Sequence, residues 1–218
     1  GLDVGYYSDC LLEPQEVSTD RQIVRDIRDI EVSDLVGIKH VIHLAALSND
    51  PLGELSPHLT REINYEATLR LASIAKRAGV SRFVFASSQS MYGVADSGAL
   101  VEEDNSNKNP VTEYAKTKWQ AEQDLLNLSD ESFTPVFLRP STVFGASPRL
   151  RCDIVFNNFV GCAYTSGRIE IKSDGTPWRP VVHIRDVCKA FIAGIEAPDE
   201  IVRGRAFNVG IPDGNFTV

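Results

Sequence analysis

Short apolar or β-branched runs alternate along the chain with longer stretches whose apolar residues recur every three or four positions. Gln22-Ile23-Val24-Arg25 predicts a strand ending at Asp26. Lys39-His40-Val41-Ile42-His43-Leu44-Ala45 predicts a second, followed by a loop rich in Ser, Asn, Pro and Gly. A helix is then expected, with Ser56 as its cap and Pro57 at its first position. Leu59, Ile63, Ala67, Leu71 and Ile74 form its apolar stripe, Arg61, Glu62, Arg70 and Lys76 face water, and Gly79 stops it. Arg82-Phe83-Val84-Phe85-Ala86 is apolar enough for a strand buried on both faces, as parallel strands are. A polar loop from Asp96 to Pro110 leads to a second long helix between Thr112 and Leu128, and Pro135-Val136-Phe137-Leu138-Arg139 is another buried-type strand. This order predicts a doubly wound α/β sheet, in which ligands sit beyond the carboxyl ends of the strands.

After Gly145 the rhythm loosens. A helical stretch from Asp153 to Tyr164, a short strand at Arg168-Ile169-Glu170-Ile171, a helix from Arg185 to Glu196 and a strand at Arg205-Ala206-Phe207-Asn208 are expected. Residues 1–147 are therefore read as the larger domain. Residues 148–218 are read as a smaller substrate-facing lobe interleaved with the end of the sheet.

Composition narrows the function classes. With 43% hydrophobic and 24% charged residues, the chain has the balance of a soluble globular protein with a sizeable core. A net charge of −8 disfavours a broad grip on a phosphate backbone, so no nucleic-acid partner is expected. No apolar run approaches the roughly 20 residues that cross a bilayer, so no membrane partner is expected either. Gly1-Leu2-Asp3 begins neither a basic nor a long apolar leader. Cys10, Cys152, Cys162 and Cys188 form no C-x-x-C pair, and His40, His43, His58 and His183 form no H-x-x-x-H pair. Reduced, mostly buried thiols, no metal and a cytoplasmic location are the expectation.

Tyr114-Ala115-Lys116-Thr117-Lys118 opens the second long helix, and Tyr114 and Lys118, four apart, project from one face with Ala121 and Leu125. A phenol titrates near 10, so making it a base at neutral pH takes about 4 kcal/mol. One cation at about 4 Å supplies that much at an effective dielectric near 20. A lysine one turn away is the right size of perturbation, and a positively charged nicotinamide would add to it. Such a pair also arises by chance as a surface tyrosine beside a solvated lysine, so its surroundings have to decide. They are Phe83-Val84-Phe85-Ala86-Ser87-Ser88-Gln89-Ser90-Met91-Tyr92-Gly93, a buried strand delivering small hydroxyls at its carboxyl end. A hydroxyl there can hand a proton between a substrate oxygen and a phenolate. Ser87 is equally well read as a loop residue capping its own backbone.

Together these residues resemble the extended short-chain dehydrogenase/reductases, the NAD-dependent epimerase/dehydratase group acting on nucleotide sugars. The resemblance runs nearly end to end. It implies a Rossmann-type parallel sheet, with Asp3 holding the adenosine ribose and favouring NAD over NADP. It further implies that Asp26 and Ile27 form the adenine-binding pair, and that Leu44, Ala45 and Ala46 pack along the cofactor. Asn64 would brace the active-site strands, with Ser87 and Pro140 beside the cofactor. Ser88, Tyr114 and Lys118 match the catalytic trio, Lys118 also bonding the nicotinamide ribose. Arg139-Pro140-Ser141-Thr142 resembles the strand end beside the nicotinamide and sugar, Thr142 standing where such epimerases often have asparagine. Trp178-Arg179-Pro180-Val181-Val182-His183 resembles the segment whose arginine clamps a nucleotide diphosphate, a task an arginine fork suits. A homodimer packed through the two long helices is implied as well.

Two departures matter. No spacing of the fifteen glycines gives G-x-x-G-x-x-G or G-x-G-x-x-G. The resemblance places the first strand and its glycine-rich turn ahead of Gly1 and a further portion beyond Val218, as in an excerpt of a longer polypeptide, or a partner supplies the strand. In the sugar dehydratases and decarboxylases of the group, acidic residues follow the catalytic hydroxyl; here Gln89 and Ser90 stand there, both with the potential to touch substrate but neutral. Elimination is thereby disfavoured, and oxidation at a sugar carbon followed by return of the hydride to the other face remains. The expected activity is NAD-dependent epimerisation of a nucleotide sugar through a transient keto intermediate. An NAD(P)-dependent dehydrogenase or reductase of the same fold is the alternative, and a non-catalytic dinucleotide-sensing protein a further one.

Overall fold

The most apolar runs become the middle of a sheet. A computed structural model describes residues 1–12, 21–48, 50–93, 101–171, 174–176 and 178–217. Its strands and helices, in chain order, are β1 Leu2–Asp3, β2 Ile23–Val24, β3 His40–His43, α1 Asp50–Leu55, α2 Pro57–Arg61, α3 Ala67–Arg77, β4 Arg82–Ala86 and α4 Glu113–Leu126. They continue with β5 Thr134–Pro140, β6 Thr142–Phe144, α5 Val155–Ser166, β7 Arg179–His183, α6 Ile184–Glu196, α7 Asp199–Val202, β8 Ala206–Val209 and β9 Asn215–Phe216. Strands β3, β4, β5 and β8 form a parallel sheet in that order, and β1 pairs with β2 in parallel. A third sheet runs β6-β7-β9, parallel between β6 and β7 and antiparallel between β7 and β9.

Side chains alternate across β4 and β5, which places a core on each face of the sheet. Phe83, Phe85 and Phe137 pack with Leu71, Ala75, Ala121 and Leu125 of α3 and α4. Val84, Val136 and Leu138 pack with Val187 and Phe191 of α6 on the other side. This is the doubly wound α/β arrangement expected from the sequence, and the chain is Rossmann-like. Helix α6 comes so close that a Cβ at Gly194 would meet Val84 Cγ1 at 3.2 Å. Its C-terminal carbonyls are held by Arg82 from β4, at 2.7 Å to Gly194 O and 2.9 Å to Ala197 O, a cation where the helix dipole favours one. Arg82 also pairs with Asp199.

Helix ends follow local chemistry. Thr112 caps α4 by accepting a bond from the Ala115 amide at 3.2 Å. Gly79, at φ +86°, ends α3: its amide reaches Lys76 O and that of Val80 reaches Ala75 O, the paired bonds of a Schellman motif.

The structure corrects several expectations. The helix after Ser56 is not continuous: Glu62–Glu66 is a π-helical turn between α2 and α3. Ser56 makes no side-chain capping bond, and its carbonyl instead accepts from the Thr60 amide and hydroxyl. The segment expected as a loop before it holds α1. Arg168–Ile171 is not a strand, because no neighbour pairs with it among the described residues; Ile169 and Ile171 are exposed. The cysteines are free but not buried: Cys10, Cys152 and Cys188 are exposed and Cys162 is half-buried, since they lie in surface turns and on the outer sides of α5 and α6. Residues 96–100 of the expected polar loop lie outside the described residues. No helix of the described chain is long and apolar enough to cross a membrane.

Candidate active site

The carboxyl ends of β3, β4 and β5 lie side by side at one edge of the sheet, and α4 packs on the sheet face next to them. Lys118 is the centre of this region. It projects from the buried face of α4, is only 2% exposed, and donates from Nζ to the Ala86 carbonyl at the end of β4 (2.7 Å). The ammonium sits over the Phe85 ring at 4.7 Å and lies 5.9 Å from the Tyr114 ring centroid. Burial pulls its pKa down to about 7, against the opposing pull of Glu122 one turn on. Tyr114, one turn earlier, is half-buried. Its Cβ would stand 3.5 Å from a Cβ at Gly53, so α1 closes over the tyrosine's stem.

Two residues past Ala86, Ser88 caps the short 3₁₀ turn Gln89–Tyr92. Its Oγ accepts from the Ser90 hydroxyl at 2.9 Å and from the Ser90 amide at 3.2 Å. A hydroxyl that accepts twice keeps its own hydrogen to donate. Ser87 and Ser141, at the ends of β4 and β5, are buried with hydroxyls that find no partner among the described residues. Gln89, Ser90 and Thr142 are half-buried. A Cβ on Gly210, at the end of β8, would be 3.9 Å from both Gln89 Nε2 and Ser141 Oγ, so these two border the same space.

The β3 end is braced from α3. Asn64, fully buried in the π-helical turn, accepts from the Leu47 amide at 2.8 Å and donates to the Leu47 carbonyl at 3.0 Å. The wider π turn presents this side chain to the loop that follows Leu44, Ala45 and Ala46. Thr68 Oγ1 donates to Asn64 O at 2.9 Å, so its contact with His43 Nε2 at 2.8 Å is one it accepts, and His43 carries its proton on Nε2. Burial, and then the Lys118 charge, push the His43 pKa down to about 3, so it is neutral at ordinary pH.

Other residues singled out from the sequence lie farther out. Asp3, exposed at the end of β1, accepts from the Gly5 amide at 2.6 Å. Asp26 caps the turn Ile27–Asp29, and its carboxylate is engaged by the Arg28 amide, Nε and Nη2. Ile27 is buried in the core. Leu44 is exposed, with Ala45 and Ala46 half-buried beside it. Pro140 ends β5. Arg179 is exposed on β7 and lines an apolar cavity of about 500 Å³ walled by Phe144, Phe156, Phe159 and Phe216.

Two features escaped the sequence reading. Arg149 lies over the Tyr7 ring at 4.3 Å, and Arg151, near enough to feel Tyr114, reaches Ser48 O at 3.4 Å. No periodicity marks loop arginines of this kind. The second is Glu122, which is 2% exposed and pairs with buried Arg139. Its signal was present: Tyr114, Lys118 and Glu122 follow one another at four-residue steps. Among the described residues no group of three or more His, Cys, Asp or Glu could hold a metal ion.

The family model of the NAD dependent epimerase/dehydratase family matches residues 7–210. The chain belongs to this family. A UDP-glucuronate 4-epimerase of Thermodesulfobacterium geofontis is 30% identical over 168 residues, covering 76% of this chain and 50% of the relative. A UDP-glucose 4-epimerase of Rhizobium meliloti is 29% identical over 210 residues, covering 87% of this chain and 63% of the relative. The chain thus spans about half the length of the first curated relatives it matches. Among solved structures, MoeE5 in complex with UDP-glucose and NAD superposes with a TM-score of 0.80 at 31% identity, over 94% of this chain and 68% of that one. The NDP-hexosamine 5,6-dehydratase TunA reaches a TM-score of 0.84 over 99% of this chain and 68% of that one, but at 21% identity it supports the fold alone. Epimerases and dehydratases share this family, so the choice between them rests on the site.

Proposed function

We propose that the chain carries the catalytic core of an NAD-dependent epimerase of nucleotide-activated sugars, working through a transient keto sugar. The observation that carries this is the Lys118 ammonium, fixed by Ala86 O between the Tyr114 ring and the strand end that bears Ser88. The residues present fit a dinucleotide. Buried hydroxyls on Ser87 and Ser141, without a partner among the described residues, stand at the strand ends where the nicotinamide end would lie, and Leu44, just past the end of β3, offers an exposed apolar surface. Lys118 would hold the nicotinamide ribose, and Asp3 the adenosine ribose. Bound there, NAD would supply reversible hydride transfer at a sugar carbon.

The chain's own residues handle the proton. Tyr114 takes it from the sugar hydroxyl as the carbon is oxidised and returns it on reduction. At the 5.9 Å between Nζ and the ring, an ammonium stabilises the phenolate by about 3 kcal/mol at an effective dielectric near 20. That is about two of the three units needed to bring a phenol into the neutral range. Ser88, with its hydrogen uncommitted to its own turn, bonds the sugar oxygen and relays the proton. Gln89 and Ser90 are uncharged, so the paired acid and base that elimination of water requires are not placed there; this favours epimerisation over dehydration. Arg179, which lines the phenylalanine-walled cavity, suits a diphosphate whose base rests on aromatic surface.

The test is Tyr114→Phe, assayed with UDP-sugars by NMR of the product stereochemistry. Wild type is expected to interconvert two epimers with no net change in NAD. The variant should keep NAD binding, followed by fluorescence, and lose at least about 100-fold in turnover, the usual range for a positioned acid–base group. Unimpaired turnover in the variant, or net release of an oxidised or reduced product by wild type, would overturn the reading.

A further inference from the structure

We propose that Glu122, gripped by Arg139, is a positioning residue for the proton transfer proposed above: its carboxylate keeps Lys118 charged and ties α4 to the turn that carries Ser88. Arg139 donates to both carboxylate oxygens, from Nε at 3.0 and 3.3 Å and from Nη2 at 2.6 Å. Its Nη1 donates to Tyr92 Oη at 2.8 Å and to Glu103 O at 2.9 Å. Tyr92, the last residue of the Ser88-capped turn, passes its own hydrogen to Asn208 Oδ1 at 2.8 Å. One connected network therefore joins the catalytic helix, the hydroxyl-bearing turn and the end of β8.

A pair this deeply buried is a poor choice for stability alone. Both side chains are almost wholly removed from water, and apolar residues of similar volume commonly replace such pairs without loss. The arrangement makes sense if the charge has work to do, and Lys118 is the buried group one turn away. Among the described residues, the charged and titratable groups around Lys118 are Tyr114 and Glu122 on its own helix and His43 from β3; β4 contributes the Phe85 ring and the Ala86 carbonyl. Glu122 is the anion among them while Tyr114 is un-ionised. Around Glu122 stand Arg139 from β5 and Lys108 from the segment before α4, whose ammonium lies 5.7 Å from both the Tyr92 and Trp119 rings.

This inference rests on the reading of Tyr114 and Lys118 above, and its test separates the two. The titration of Lys118 is followed by NMR of 13C-labelled lysine in the NAD-bound protein, and the pH dependence of kcat and KM is measured beside it. Glu122→Gln removes the anion and leaves Arg139 unpaired, so both changes drive Lys118 toward neutrality. Its titration, and the basic limb of kcat, should fall by about one pH unit, with about tenfold lower kcat above the new limb and KM little changed. Arg139→Met should move the titration the other way. The double variant, free of either buried charge, should fall between wild type and Glu122→Gln, and it serves if a single variant does not fold. Glu122→Asp should restore most of the wild-type position. A Lys118 titration that stays put in the folded variants overturns the proposal. A shifted titration in a protein with no epimerase activity would sustain it while sinking the functional reading.

Discussion

Lys118→Met probes the electrostatics of the site without any substrate. The unfolded chain holds this lysine's proton up to about 10.5, whereas the folded chain releases it near 7. Between those values the unfolded state binds more protons, so stability rises with pH, by up to about 1.4 kcal/mol per unit. Below 7 both states hold the proton, and the folded protein carries the full penalty of burying an ammonium, about 5 kcal/mol. Methionine removes that penalty at a cost of about 1–3 kcal/mol for leaving the Ala86 carbonyl without its donor. The variant should therefore be the more stable protein at about pH 6.5, by a few kcal/mol. Its advantage should shrink by about 3 kcal/mol between about pH 7 and about pH 9.5. Urea denaturation of nucleotide-free wild type and variant across this range measures it, and taking the difference cancels groups common to both. His43 titrates well below the window. A difference that is flat from pH 7 to pH 9.5 would refute the claim that burial lowers the pKa of Lys118 in the folded chain.

Other substitutions test the scaffold. Asn64→Leu should cost about 2–3 kcal/mol in denaturation, because two bonds to Leu47 are lost in a buried place, and it should weaken NAD binding as the loop after β3 loosens. Gly194→Val should destabilise by about 1–3 kcal/mol, since even a methyl there already crowds Val84. By contrast Gly161→Ala, in the open middle of α5, should raise stability by about 0.5–1 kcal/mol; a loss would mean that this helix face is covered by something the isolated chain does not present.

Several site residues were legible because their signals are local. The four-residue step from Tyr114 to Lys118 puts both on the buried side of any helix that forms there, and Thr112 and Gly79 mark helix ends through bonds to residues a few positions away. Glu122 continues the same step, but the partner that gives it a role is remote in sequence. The Arg139 guanidinium arrives from 17 positions on, and Tyr92 joins it across 47. The π-helical turn that aims Asn64 at Leu47 left no trace in an apolar stripe that reads equally well as unbroken helix.

By itself the sequence determined the alternation of buried strands and one-sided helices, the hydroxyls at the end of β4 and the Tyr114–Lys118 spacing, all set by residues within a turn or two of one another. Only the tertiary structure decided which segments found partners. Arg168–Ile171 has the composition of a strand and pairs with nothing described, while Arg179–His183 became the middle of a three-stranded sheet. It also decided how deeply Lys118 and Glu122 are buried, and hence how they titrate. Pairing and burial depend on surfaces brought together from distant parts of the chain, and local pattern carries no record of them.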